Sequence, residues 1–119
     1  MEQTVFVDLL HQVVIAPAAT DTIANLAAPS GRRVSDERKR RAAWFNSLSA
    51  EDRANVEHVA QEAARGVAFG IFCVLDGCRV IEDYDQRGHL ELHHIYKGTK
   101  TLLSSSADDS SAGALHELL

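Results

Sequence analysis

VAFGIFCVLDGCRVIED, residues 67–83, decides the fold, because its apolar residues satisfy a helical and an extended template at once. On the helical template, Val56, Val59, Ala60, Ala63, Ala64, Val67, Ala68, Ile71, Phe72 and Leu75 share one face at three-and-four spacing. A helix from Ala50 to Asp76 would, however, be roughly 40 Å long at 1.5 Å per residue. A globule of this length has a radius of gyration of only about 13–14 Å. On the extended template the helix ends near Gly66, and Asp76-Gly77 becomes a two-residue turn between apolar runs, a strong hairpin signal because both turn positions need positive φ. Val67, Ile71, Val74, Val80 and Ile81 are β-branched and Phe69 and Phe72 aromatic, which suits a pleated surface. The sequence therefore predicts a hairpin rather than a long helix. Cys73 and Cys78 then lie diagonally across it, about 7–8 Å apart and too far for a disulfide, so both are expected to be reduced and buried.

Upstream, Ser49 followed by Asp52 is a variant capping box that opens the main helix. Ser35 caps a helix over DERKRRAAWFNSL, with Asp36 and Glu37 at the positive end of its dipole and Ala42, Trp44 and Phe45 turned toward the core. Residues 20–28 form a short helix, and residues 4–15 an amphipathic one closed before Pro17. Downstream, residues 84–88 are a polar connection, 89–96 a third strand, Lys97-Gly98 a turn, 99–104 a fourth strand, 104–113 a polar loop and 114–119 a last helical turn. The expected fold is α+β: N-terminal helices and one main helix packed on a four-stranded antiparallel meander, with a short C-terminal helix. All 119 residues make one domain, with a helical N-terminal extension over 1–34 and a core over 35–119.

The run FGIFCVLDGCRVIED, followed by GHLELHHIYKGTKTLL and the closing ALHELL, resembles a group of small bacterial proteins of unknown function that share an FGxxCVLDGxRxIED core. The resemblance spans residues 44–119. It implies a compact bacterial domain with a helix, a meander and a terminal helix, and lends no catalytic residue.

At 45% hydrophobic and 24% charged residues, the composition is that of an ordinary globule rather than a disordered chain. Glu2, Asp8 and Pro17 make the N-terminus a poor signal peptide, and no apolar run approaches a membrane span, so a bacterial cytoplasm is expected.

Three motifs invite a site. In DYDQRGHLELHH, Asp83, Asp85 and Gly88 match a calcium loop, but Arg87 and His94 stand where oxygen ligands belong, which leaves a solvated acidic turn. His89, Glu91 and His93 alternate onto one face of a strand, where two histidines can share a zinc, but a further ligand is still needed and polar alternation on a wet sheet face explains the same residues with no metal. Glu82, Asp83 or Asp85 with His93 or His94 would be the acid and base of an enzyme, but nothing in their spacing makes them converge. No phosphate loop, nucleophile elbow or paired-cysteine motif is present, and no cofactor is implied.

Charge says more. Residues 32–41 hold Arg32, Arg33, Arg38, Lys39, Arg40 and Arg41 beside Asp36 and Glu37, a net +4, which leaves −9 for the rest of a chain whose total is −5. Arg38, Lys39, Arg40 and Arg41 could hold the phosphates of a nucleic acid, although a solvated helix start accounts for them too. The favoured expectation is a non-enzymatic protein-binding domain, such as an immunity protein or inhibitor of a basic partner, with Glu82, Asp83, Tyr84 and Asp85 as the contact surface. Nucleic-acid binding and a small metal-dependent enzyme are the alternatives, and a homodimer is compatible with either binding role.

Overall fold

The computed structural model describes all residues, 1–119. Helix α1 (Gln3–Leu10) runs through a π turn (His11–Ile15) into α2 (Ala16–Ala27), followed by α3 (Asp36–Ser47) and α4 (Ala50–Asp76). A 3-10 turn at Tyr84–Gln86 precedes strands β1 (Glu91–Tyr96) and β2 (Thr99–Ser105), and a second 3-10 turn, Leu115–Leu118, closes the chain. Backbone packing divides the chain into two units, Met1–His11 with Gly66–Leu119, and Gln12–Arg65. No helix is long and apolar enough to cross a membrane.

The fold is α+β, but the four-stranded meander is wrong. Only β1 and β2 form a sheet, and residues 67–75 continue α4 instead of pairing as a hairpin. The Asp76-Gly77 signal does mark a chain reversal, but of another kind. Gly77 takes φ +85°, as either reading demands, while Asp76 stays out of the positive-φ region that a two-residue hairpin turn would require of it. Gly77 N–H donates to Val74 O at 3.2 Å and Cys78 N–H to Cys73 O at 3.0 Å. That pair of bonds is a Schellman motif, in which a left-handed glycine ends a helix by satisfying its last carbonyls. The objection from length also fails, because residues 50–65 of α4 pack in one unit and 66–76 in the other. Neither unit has to contain the whole helix.

The remaining elements follow from local chemistry. Ser35 Oγ accepts from Arg38 N–H at 3.2 Å and Ser49 Oγ from Asp52 N–H at 3.1 Å, so both predicted caps are present. Ala42 and Phe45 are buried as expected, whereas Trp44 is exposed. Pro17 does not end the first helix. It sits in the first turn of α2, where a missing N–H is tolerated, and the wider π turn just before it absorbs the break in the ladder.

In the unit of Met1–His11 and Gly66–Leu119, Val7, Phe72 and Leu115 form the buried centre, with Phe6, Leu10, Leu75, Leu92 and Leu119 packed around it. The Phe6 and Phe72 rings meet at 6.3 Å between centroids. The β1–β2 hairpin turns through Lys97 at φ 48° and Gly98 at φ 80°, the positive pair that a tight hairpin uses. Its register runs Leu92↔Ser104 and then His93↔Leu102, so Leu103 is an extra residue that bulges the strand. The bulge breaks the in-out alternation and leaves Leu103, Ser104 and Ser105 buried in succession. In the Gln12–Arg65 unit the buried side chains are Ile15, Ala19, Ala42 and Phe45, and Asn46 Nδ2 donates to Ala27 O at 2.8 Å to join α3 to the end of α2.

Candidate functional site

The Schellman turn builds a polar cluster at the end of α4. Asp76 is the last helical residue, and its side chain is only 5% exposed. Ser104 Oγ donates to Oδ1 at 2.6 Å, while the backbone N–H of His116 at 2.9 Å and its Nδ1–H at 2.8 Å both donate to Oδ2. One carboxylate thus joins the helix end, the bulged strand and the C-terminal turn. Burial alone would raise its pKa, but the bonds from Ser104 Oγ, from the His116 and Leu115 amides and from the His116 imidazole outweigh it and hold the carboxyl below its ordinary 3.8.

Cys73 and Cys78 flank this residue, three positions before it and two after, at the two Schellman positions whose side chains commonly touch. They are free thiols, Cys73 buried and Cys78 exposed, so the expectation that both are buried fails for Cys78. The diagonal hairpin geometry fails as well, since their sulfurs lie within 4.8 Å of each other and of a His116 nitrogen. Cys78 S–H donates to Cys73 O at 3.4 Å, and its sulfur lies 3.8 Å from His116 Nδ1. Burial, then the neighbouring Cys78, push the Cys73 thiol up. Phe69 packs edge-on against the His116 ring, 5.6 Å between centroids. Because Asp76 and Cys78 both address Nδ1, this is not the relay of a thiol hydrolase, in which the base meets the nucleophile and the acid through different nitrogens.

Every residue from Cys78 to Glu91 is exposed. Ile81 is 71% and Tyr84 88% exposed, interleaved with Glu82, Asp83 and Asp85. Both ends of this loop close on Ser106: a Cβ on Gly77 would lie 2.7 Å from Ser106 O, and Leu90 N–H donates to Ser106 Oγ at 2.7 Å. Inside it, Gln86 N–H donates to Asp83 O at 3.1 Å and Gly88 N–H to Glu82 Oε2 at 3.4 Å. A surface loop with adjacent ends and internal bonds is an Ω-loop, a form often used for recognition.

The other nominated residues are placed as follows. Glu91 bridges two imidazoles, His93 Nε2 at 3.0 Å and His89 Nε2 at 3.7 Å, and the bond from His93 holds its carboxyl below the ordinary range. His89 lies before β1 rather than in it. Of the proposed acid and base groups, Glu82 accepts from Gly88 N–H, His93 is bonded to Glu91 and His94 Nδ1 lies 3.4 Å from the terminal amine. In α3, Arg41 pairs with Glu37 at 2.8 Å and Arg38 Nη1 donates to Ser30 O at 3.3 Å, while Lys39 and Arg40 are exposed.

Sequence reasoning missed Asp76 as a hub, with Ser104 and His116 as its partners. The C-cap pattern around Asp76-Gly77 was the available signal for the two cysteines, and nothing local brings His116 to them. No family model, curated protein or solved structure matches the chain.

Proposed function

We propose that this chain is a non-enzymatic protein-binding domain that engages a basic partner through the loop of Ile81, Glu82, Asp83, Tyr84 and Asp85, as an immunity protein or inhibitor does. The observation that carries the reading is the exposure of Ile81 and Tyr84 in an acidic loop whose two ends are fixed. Exposed tyrosine is a common binding hot spot, the carboxylates around it steer a cationic partner, and a loop ordered in advance loses less entropy on binding. Arg38 and Arg41 already hold partners within their own unit, which supports the acidic loop over the basic helix as the contact surface.

The test begins with a partner captured by the full chain and then purified. Tyr84→Ala and Ile81→Ser should each speed its dissociation, Tyr84→Ala by about 30-fold if it contributes the roughly 2 kcal/mol of a hot spot. Unchanged dissociation in both variants would move the contact elsewhere.

A further inference from the structure

We propose that Cys73, Cys78 and His116 form a binding site for zinc. Two thiolates and an imidazole make a soft donor set, which favours zinc over the hard, oxygen-seeking magnesium and calcium. In a tetrahedral zinc site, bonds of about 2.3 Å to sulfur and 2.0 Å to nitrogen put the ligand atoms roughly 3.5–3.8 Å apart. Here the three ligand atoms lie within 4.8 Å of one another, and Cys78 Sγ is 3.8 Å from His116 Nδ1. Closing that triangle shortens its sides by no more than about 1.3 Å.

The backbone itself argues for the site. The Schellman bonds set the spacing of Cys73 and Cys78, and the amide of His116 is tied to Asp76 between them. The three ligands therefore come from segments whose main chains are already hydrogen-bonded together. His116 Nδ1 is bonded to Asp76 Oδ2 at 2.8 Å, so zinc at Nδ1 would replace the proton of that bond. Zinc at Nε2 would instead leave Asp76 as a positioning residue that holds the ring through Nδ1–H, the outer-shell arrangement that metal-bound histidines commonly have. Cys78 is exposed, which gives an ion an entry path and leaves a fourth position for water or a group from a partner. Such a site lies at the base of the 78–91 loop, yet it stands whether or not that loop binds a protein.

The experiment uses the full chain, reduced, stripped with a chelator and dialysed against zinc chloride, with bound metal measured by mass spectrometry and cobalt(II) as the spectroscopic probe. One zinc per chain and a thiolate-to-cobalt charge-transfer band are expected. Cys78→Ser and His116→Gln should bind at least about tenfold more weakly, since the loss of an outer-shell partner alone costs that much. His93→Gln, in the other histidine cluster, should bind as the parent does. Far-UV circular dichroism checks that each variant is folded; because Cys78 is exposed, Cys78→Ser decides alone if His116→Gln is not. No retained zinc, or retention that survives Cys78→Ser and is lost in His93→Gln, would overturn the proposal.

Discussion

Asp76 accepts more hydrogen bonds than any other side chain in the protein's C-terminal half, and its ionisation should be visible in stability. Its pKa is depressed in the folded state, so the folded chain binds fewer protons there than the unfolded chain in the acid range. The stabilisation is therefore present above the ordinary carboxylate value of 3.8 and is lost as pH falls through the lower folded value. Urea unfolding of metal-free protein at a series of pH values should show stability falling below that point, with a shallower fall in Asp76→Asn. At neutral pH the same substitution should cost roughly 1–3 kcal/mol, because an amide cannot accept from all the donors that converge there. The neighbouring Gly77 is constrained twice, by φ +85° and by Ser106 O 2.7 Å from where a Cβ would sit. Gly77→Ala and Gly77→Val should each lose more than about 1 kcal/mol, read as a drop in melting temperature. Equal melting of Gly77→Ala and the parent would mean that this close approach does not exist.

At the scale of elements, what was legible and what was not divides by the range of the interactions. The caps at Ser35 and Ser49 and the Lys97-Gly98 hairpin depend on residues within a few positions, and each lies where its residues predict. The end of α4 was misread because one glycine conformation serves two structures, a hairpin turn and a helix C-cap, and the three-and-four spacing of residues 56–75 was overruled by a length limit that holds only for a single packed body. The bulge at Leu103 and the meeting of Asp76 with His116 depend on how separate elements pack, which no local pattern encodes. Gly66 separates the two readings most simply. It lies inside α4, its φ is not positive, and a Cβ there would meet nothing within 4 Å. Gly66→Ala should therefore stabilise the chain by about 0.5–1 kcal/mol, the difference in helix propensity. Denaturant titration gives the value directly, and a destabilised variant would argue for a break in the helix at that point.

On the scale of the whole molecule, exposed apolar side chains occur in both units, and Ile81 and Tyr84 are among the most exposed. Ile81 and Tyr84 stand beside carboxylates on a loop whose ends are fastened, while the cations of α3 lie in the other unit and are partly paired. Two surfaces of opposite sign imply two distinct salt responses. Reversing Glu82, Asp83 and Asp85 to Lys should slow association with a purified basic partner and flatten its dependence on salt, since charges at the edge of an interface act chiefly on the on-rate. Neutralising Arg38, Lys39, Arg40 and Arg41 should leave that rate unchanged, whereas a nucleic-acid role predicts that these substitutions abolish retention on DNA or RNA. The deciding measurement is the association rate of the loop-reversed and helix-neutralised chains with the captured partner at two salt concentrations. A slowed, salt-insensitive loop variant beside an unaffected helix variant is the predicted result, and a loop variant that associates at the parental rate with the parental salt dependence would contradict it.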